Sequence, residues 1–353
     1  MTESTPLPAT TSAPATRPNV APAPVAATRR HPRPEGGDDT PVTGPISVRR
    51  RAIGHSDLRV FPLAIGGNVF GWTADAAAVD GILDTYSDLG GNFVDTADSY
   101  AAGRSEIMIG DWMRDRRMRS HMVVATKVGK GDQHPGVTQK AITRSVEASL
   151  QRLRTDYIDL LYLHIDDEAV PFEETLLAVD ALVGAGKVRY VGASDHSGNR
   201  LIEARVISAQ LGAAPLVAVQ NQYNLVHRRE YEGTIARVAS QLGLGVMPRF
   251  ALASGFLSGK YRSRSDAAAS RRRSEVSAYV TRFGLRVLST IDQIAAEHHV
   301  APASVALAWL LTKPNIVAPV VSASSSEQVL DLVAAVAVPL TRHQVAELDR
   351  VSA

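Results

Sequence analysis

Residues 122–164 read MVVATKVGKGDQHPGVTQKAITRSVEASLQRLRTDYIDLLYLH and contain a complete strand–helix–strand pattern. The apolar runs 122–126 and 158–163 have the length and the β-branched content of buried strands. The segment between them places four apolar residues at helical spacing, namely Ile142, Val146, Leu150 and Leu153. Because these residues form one stripe along a helix, we expect the helix to pack on a sheet that contains both strands. The pattern predicts a βαβ unit with parallel strands.

The same alternation of strand and helix continues on both sides of this unit. Eight strands are predicted in total, at residues 61–65, 92–94, 122–126, 158–163, 188–193, 216–220, 245–247 and 316–321. About eight such units in roughly 300 residues favour an α/β fold of the (β/α)8 TIM barrel type over a doubly wound sheet. Before residue 61, Ile53 and Val60 flank the residues Gly54 to Asp57. We expect this segment to be a hairpin that plugs the N-terminal end of the barrel.

The first 45 residues differ in composition from the rest of the chain. They repeat Pro, Ala and Thr, contain few large apolar residues and carry an acidic cluster at Glu35, Asp38 and Asp39. Such a segment buries too little apolar surface to offset the entropy lost on ordering. The sequence therefore predicts two parts, a disordered tail at residues 1–45 and the barrel at residues 46–353.

Composition narrows the classes of partner. The chain has 353 residues, with 38 basic and 36 acidic side chains, and its formal net charge of +2 offers no broad electrostatic surface for nucleic acid or an anionic membrane. No apolar run reaches the roughly 18 residues that span a bilayer. The chain has no cysteine, which excludes disulfides and thiolate metal sites. We therefore expect a small-molecule ligand and a cytoplasmic location.

Four polar residues stand where predicted strands give way to loops, namely Asp95, Tyr100, Lys127 and His164. Asp95 ends the second strand, and Tyr100 lies in the loop that follows it. Lys127 and His164 end the third and fourth strands. Active sites of (β/α)8 barrels are built at this C-terminal edge of the strands. Because neighbouring strands lie about 4.8 Å apart, we expect the fold to gather the four side chains in one pocket.

These side chains suit proton transfer to a carbonyl oxygen. Tyr100 would donate the proton, and an ammonium about 4 Å away would stabilise the resulting phenolate by about 4 kcal/mol at an effective dielectric of about 20. Lys127 supplies that ammonium, kept charged and oriented by Asp95. His164 would share a hydrogen bond with the phenol or the substrate oxygen. None of the four acts as a nucleophile, so a hydride would have to come from a cofactor.

The segment NFVDTADSYAAGRSEIMIG, residues 92–110, resembles the signature of the aldo-keto reductase family around its catalytic Asp and Tyr. Further similar motifs follow in the family's order, namely ATK at 125–127, LLYLH at 160–164, VGASD at 191–195, VAVQNQYN at 217–224, GFLSGKYR at 255–262 and APVVSASSSEQ at 318–328. The resemblance spans roughly residues 48–350. It implies an NAD(P)H-dependent oxidoreductase on a (β/α)8 barrel, with Tyr100 as the general acid and Asp95, Lys127 and His164 completing a catalytic tetrad.

The resemblance also assigns residues that bind the nicotinamide. Ser194 and Gln220 match positions that hydrogen-bond its carboxamide. Asp195 stands where the family commonly has Asn, and Arg249 stands where an aromatic residue often stacks on the ring. A guanidinium plane can also stack, and its positive charge would disfavour the oxidised cofactor more than the reduced one.

Other positions match the parts of the family that hold the cofactor's phosphates. The loop after strand seven closes over the pyrophosphate, and its counterparts here are Ser258, Gly259, Lys260 and Arg262. The remaining cofactor positions lie after the first and last strands, at Gly67, Asn68, Ser322, Ser324 and Gln328. Many family members place an Arg near Ser324 to bind the 2′-phosphate of NADP. Because it is missing here, we expect modest discrimination between NADPH, the expected cofactor, and NADH.

Two other functions stay open at this point. One is a nucleotide-binding regulatory subunit with little turnover, similar to the potassium-channel beta subunits that share this fold. The other is a metal-dependent barrel hydrolase, but Gly66, Gly67 and Asn68 end the first strand where a pair of His ligands would support it. We therefore expect no metal site. The expected substrate is a small carbonyl compound or alcohol, with Trp72 and the loop of residues 262–283 lining its pocket.

Overall fold

The structure, a computed structural model, describes residues 48–268, 270 and 272–353. The predicted disordered tail at residues 1–45 lies outside the described residues, and the division of the chain at residue 45 stays a prediction. The described chain opens with a two-stranded antiparallel hairpin formed by β1 (Arg51–Ala52) and β2 (Arg59–Val60).

The turn of this hairpin is pressed against the barrel. Gly54 adopts a φ of +49°, and a Cβ added there would lie 2.2 Å from the carbonyl oxygen of Val217. Ile53, Leu58 and Val60 are buried and pack on residues from the interior of the barrel strands. The hairpin closes the N-terminal end of the barrel, which confirms the predicted plug.

Eight parallel strands form the barrel. Their bounds are β3 (Ala64–Gly66), β4 (Phe93–Asp95), β5 (Val123–Val128), β6 (Ile158–Leu163), β7 (Val188–Ser194), β8 (Leu216–Gln220), β9 (Gly245–Val246) and β10 (Val320–Val321). They pair in sequence order from β3 to β9, and β10 pairs with β3. A parallel bridge joins Val246 to Ile316, and the N–H of Val317 donates to the carbonyl of Val246 at 2.8 Å. These contacts join the two edges of the sheet, and the predicted (β/α)8 barrel is confirmed.

Helices connect the strands and cover the barrel. Their bounds are α1 (Ala76–Asp88), α2 (Arg104–Arg116), α3 (Gln139–Leu153), α4 (Phe172–Gly184), α5 (Gly198–Leu211), α6 (Ala236–Leu242), α7 (Arg264–Ala268), α8 (Arg273–Ser277), α9 (Arg282–His298), α10 (Pro302–Leu311), α11 (Ser326–Ala334) and α12 (Arg342–Val351). Thr138 caps α3, because its side chain accepts a hydrogen bond from the N–H of Ala141 at 3.3 Å. The four apolar residues that predicted this helix are all buried.

No single helix in the described ranges is long and apolar enough to cross a membrane. Two bent helix pairs, α9 with α10 and the segment Ser326–Ala337 with α12, have that length and composition when each pair is taken together.

The alternation of side chains along the strands positions the site. In β5, Ala125 packs in the barrel interior and Val124 packs against the outer helices, so Lys127 points inward. In β4, Asp95 likewise follows the inward-facing Phe93 by two residues. The same alternation gives inward positions to His164, Ser194 and Gln220. Polar groups from five different strands therefore meet at the C-terminal end of the barrel.

Three strands are shorter than the sequence predicts, β9 by one residue and β3 and β10 by more. β3 begins at Ala64 rather than at residue 61, because Pro62 has no N–H and the N–H of Phe61 donates to the side chain of Asn92 at 2.8 Å. β10 covers Val320 and Val321 rather than residues 316–321, because Pro319 has no N–H to continue a ladder.

Candidate active site

A buried ion pair forms the base of the candidate site. The ammonium of Lys127 hydrogen-bonds to Oδ1 of Asp95 and donates to the carbonyl of Thr96 at 2.9 Å. Oδ2 of Asp95 accepts a hydrogen bond from Nε2 of Gln220 at 2.8 Å. All three side chains are about 1% exposed. Both oxygens of the carboxylate are therefore satisfied, and the three side chains hold one another in fixed positions.

The same neighbours keep Lys127 charged. Burial alone would lower the pKa of the Lys127 ammonium, but the carboxylate of Asp95 and the hydroxyl of Tyr100 outweigh burial and raise that pKa. A fixed positive charge therefore lies inside the barrel, next to the tyrosine.

Tyr100 reaches this charge from the loop after β4. The loop turns sharply, because Ala101 and Ala102 adopt positive φ values of 50° and 55° immediately after the tyrosine. The ring centroid of Tyr100 lies 5.2 Å from Nζ of Lys127 and 6.2 Å from the ring of His164, which it meets edge-on. Tyr100 itself is only partly buried. Its ring lies between a fixed cation, an imidazole and solvent.

His164 is held in its neutral form. Burial lowers the pKa of His164 to about 2, and the positive charges of Lys127, Lys130 and Arg249 act in the same direction. Its Nδ1 atom is buried and has no hydrogen-bond partner in the described chain. A neutral imidazole offers one donor and one acceptor, so His164 can donate a hydrogen bond without transferring a proton.

An inner pocket of about 70 Å³ lies over these groups. Its lining includes Asp95, Tyr100, Gln220 and Arg249. It shares Asn68, Phe250, Val320 and Ser322 with a larger cleft of about 470 Å³ that extends outward from it. The outer cleft is bounded by the loops after β3, β9 and β10. A long ligand can therefore lie in the outer cleft and place one end in the inner pocket.

Besides Nδ1 of His164, other buried polar atoms near the inner pocket have no hydrogen-bond partner in the described residues, among them Oγ of Ser194 and Oδ1 of Asn221. Ser194 pairs with Gln220 across β7 and β8, and the amide of Asn221 donates from Nδ2 to the carbonyl of His196 at 3.3 Å. Unpaired buried polar atoms are rare, and a carboxamide can both donate and accept. A nicotinamide carboxamide therefore fits these atoms. The sequence-based assignment of cofactor residues missed Asn221, although it directly follows β8 at the same end of the barrel as Asp95 and Lys127.

The outer cleft collects most of the residues predicted to bind phosphates. Ser322 hydrogen-bonds to the side chain of Asn68, and the N–H of Ser324 donates to Oε1 of Gln328 at 2.9 Å. Lys260 and Trp72 also line this cleft. The predicted substrate residue Trp72 thus lies beside the outer cleft. The hydroxyls, the backbone N–H groups and the lysine suit the phosphates of a dinucleotide.

Six predicted cofactor residues do not line either cavity, namely Gly67, Ser194, Asp195, Ser258, Gly259 and Arg262. Gly67 is packed against Ser105, whose hydroxyl donates to its carbonyl at 2.8 Å. Arg262 forms a two-pronged ion pair with Asp292, at 2.5 and 2.9 Å. The cleft instead receives Arg272, whose guanidinium lies 5.4 Å from the ring of Trp72. The sequence-based assignment missed Arg272, which lies in a long loop without a periodic pattern.

Asp195 and Arg249, the two positions that depart from the family's common residues, contact each other. Nε of Arg249 donates to Oδ1 of Asp195 at 2.7 Å. Asp195 adopts a positive φ of 59° at this position. Arg249 therefore lines the inner pocket while part of its charge is offset by the carboxylate.

Among the residues that the structure describes, no group of three or more His, Cys, Asp or Glu side chains is arranged to hold a metal ion. Asp95 pairs with Lys127, and Asp195 pairs with Arg249.

Comparisons with known proteins agree with this geometry. The family model described as the aldo/keto reductase family matches residues 62–353. A probable voltage-gated potassium channel subunit beta of Oryza sativa subsp. japonica is 33% identical over 317 residues, which cover 87% of this chain and 96% of that protein. An aryl-alcohol dehydrogenase of Pestalotiopsis microspora is 33% identical, covering 88% and 84%. A norsolorinic acid reductase of Aspergillus flavus is 30% identical, covering 86% and 81%.

Proposed function

The chain belongs to the aldo/keto reductase family, and from this premise we propose that it reduces an aldehyde or ketone to an alcohol, or catalyses the reverse, with Tyr100 as the proton donor. The observation that carries the proposal is the buried Lys127–Asp95 pair beside the ring of Tyr100. The relatives named as a reductase and a dehydrogenase support oxidoreductase chemistry. Aldo/keto reductases use a nicotinamide cofactor, which supplies the hydride when it is bound.

The residues of this chain handle the proton. Tyr100 donates it to the carbonyl oxygen, and the Lys127 ammonium stabilises the phenolate that remains. Asp95 fixes the position of that ammonium, and Gln220 fixes Asp95. Neutral His164 donates a hydrogen bond to the same oxygen and helps to orient the substrate. The site is thus preorganised for charge that develops on oxygen.

Residues in and beside the two cavities would hold the cofactor. Ser194 and Asn221 carry the unpaired atoms that suit the carboxamide, and Arg249 provides a plane beside the ring. The outer cleft would hold the phosphates with Ser322, Ser324 and Lys260. This division leaves the partly exposed side of Tyr100 for the substrate.

The test is the variant Tyr100→Phe, which removes the proton donor but keeps the ring. We expect carbonyl reduction to fall by at least about a hundredfold, because positioned acid catalysis contributes about that much. Binding of NADPH, followed by protein fluorescence, should stay within about threefold of wild type. Tyr157→Phe is the matched control, because Tyr157 precedes β6 at the opposite end of the barrel. Unchanged turnover of Tyr100→Phe across a panel of good carbonyl substrates would contradict the assignment.

A second candidate function is a nucleotide-binding regulatory subunit with little turnover. The relative named as a probable voltage-gated potassium channel subunit beta supports it, since the match covers 96% of that protein. Steady-state reduction of small aldehydes by the purified chain separates the two candidates. Measurable turnover favours the enzyme, whereas cofactor binding with negligible turnover and capture of one specific protein partner favours the regulator.

A further inference from the structure

Lys130 is a cation beside the inner pocket that the proposed mechanism does not use. Its ammonium lies near Asp195, which binds Arg249, a residue that lines the pocket. Lys130 follows Lys127 by three residues, in the loop after β5. Its side chain is 42% exposed, and its ammonium makes no hydrogen bond in the described chain. The nearest carboxylate oxygen, Oδ2 of Asp195, lies 3.9 Å from Nζ of Lys130, beyond hydrogen-bond distance. A partly buried ammonium is therefore left without a close partner.

Asp195 cannot fully neutralise Lys130, because Arg249 binds the same carboxylate more closely. Nε of Arg249 lies 2.7 Å from Oδ1 of Asp195. One carboxylate therefore faces two cations at this part of the mouth. Below them, the charge of Lys127 is already matched by Asp95. Lys127, Lys130 and Arg249 together carry more positive charge than Asp95 and Asp195 neutralise.

Lys130 follows Val128 by two residues, and the carbonyl of Val128 accepts the N–H of His164 at 2.9 Å, so the loop that carries Lys130 starts beside the catalytic histidine. The positive charge of Lys130 lowers the pKa of His164 together with those of Lys127 and Arg249. In turn, burial lowers the pKa of Lys130, and Arg249 and Lys127 add to that effect, while Asp195 opposes it. A bound anion would offset the unfavourable desolvation and repulsion at Lys130.

The position of Lys130 favours the substrate over the cofactor as the source of that anion. The outer cleft that suits the cofactor's phosphates is lined from the loops after β3, β9 and β10. Lys130 lies after β5 and contacts the residue that follows β7, on the other side of the barrel mouth. An anion bound by Lys130 would thus belong to a molecule next to Tyr100 and His164.

We propose that the pocket selects carbonyl substrates that carry a carboxylate or a similar anionic group, and that Lys130 is the residue that receives this group. The inference rests on the proposed function, because it names the substrate class of the same site. Lys130 acts on binding and specificity and takes no part in proton transfer.

The test compares two aldehydes that differ in charge, 4-formylbenzoate and its methyl ester, with the full chain and saturating NADPH. Lys130→Met removes the charge and keeps most of the side-chain length, whereas Lys130→Arg keeps the charge. We expect Lys130→Met to raise KM for 4-formylbenzoate about tenfold relative to the ester, with kcat within about twofold, because a charge-assisted contact at a partly exposed site is lost. Lys130→Arg should stay near wild type. Lys140→Met, at an exposed position in α3, is the matched surface control.

A second measurement does not depend on turnover. Binding of benzoate and benzamide to the NADPH complex is measured by calorimetry, and Lys130→Met should weaken benzoate about tenfold and leave benzamide unchanged. Equal effects on the charged and neutral members of each pair would overturn the role of Lys130. If wild type reduces neither aldehyde nor a wider carbonyl panel, the proposed function fails, while the benzoate comparison still decides whether Lys130 binds anions.

Discussion

The pKa of His164 reflects the burial and the positive charges of the pocket around it. Its imidazole is buried among three cations, and burial with these charges lowers its pKa to about 2. Folded His164 therefore stays neutral at pH values where a free histidine would already carry a proton. Its use as a hydrogen-bond donor, rather than as an acid, follows from that surrounding charge.

The depressed pKa of His164 has a consequence for stability. In the unfolded chain a histidine binds a proton below pH 6.5, but folded His164 does not do so until about pH 2. Its contribution to the free energy of unfolding is therefore complete above pH 6.5 and is lost as the pH falls below that value. At pH 5 the loss is about 2 kcal/mol.

The comparison of wild type with His164→Asn isolates this contribution. We expect the difference between their free energies of unfolding to shrink by about 2 kcal/mol between pH 8 and pH 5, as measured by urea denaturation. His196, whose pKa is also lowered by burial, is present in both proteins and cancels. Parallel curves over this range would show that His164 takes up its proton in the folded protein.

At the scale of the element, the hairpin of β1 and β2 contributes to the core although it precedes the barrel. Ile53, Leu58 and Val60 fill the end of the barrel that the catalytic residues leave open. Gly54 permits this approach, because its positive φ and its contact with the carbonyl of Val217 leave no space for a Cβ.

Gly54→Ala should therefore be strongly destabilising. We expect the free energy of unfolding to fall by at least about 2 kcal/mol, since strain at the positive φ adds to the clash with backbone. Gly184→Ala is the control, because it lies in α4 and its Cβ would meet nothing within 4 Å. That substitution should be neutral or raise stability by up to about 1 kcal/mol in urea denaturation. A similar small effect at Gly54 would mean that the hairpin turn does not pack as described.

The elements were largely predictable because periodicity determines them. The helix α3 and the strand β6 have the bounds that their apolar patterns predict, within about three residues. The ends of β3 and β10 were not predictable from such patterns. They depend on Pro62 and Pro319, and on the side chain of Asn92, which accepts the N–H of Phe61 although it lies 31 residues away. The local pattern of apolar residues does not predict hydrogen bonds between residues that are distant in the sequence.

At the scale of the whole molecule, the site forms because loops from opposite sides of the barrel meet at one end. The inward alternation made the placement of Asp95, Lys127 and His164 predictable from sequence. The ion pair of Asp195 with Arg249 was not predictable, because it joins residues 54 positions apart through a positive φ. The approach of Arg272 to Trp72 likewise depends on the course of a long loop.

The outer cleft leads to a prediction about cofactor choice. Among its described lining residues, Lys260 and Arg272 are the basic side chains, and no arginine stands at Ser324. Two cations at the cleft favour the additional phosphate of NADPH, but no arginine stands at Ser324, in the loop after β10, to bind that phosphate specifically. We expect NADPH to bind more tightly than NADH by less than about a hundredfold, as measured by titrating protein fluorescence with each. A thousandfold preference for NADPH would contradict this view of the cleft.

The two hydrogen bonds to Asp95 have a consequence for how the protein fails on heating. Lys127 comes from the neighbouring strand β5, whereas Gln220 comes from β8, so the carboxylate ties together strands from distant parts of the barrel wall. Melting of the barrel wall would separate these strands and with them the groups that hold Asp95 in place. Thermal inactivation should therefore coincide with melting of the whole fold, with no earlier stage in which a folded barrel has lost its catalytic geometry.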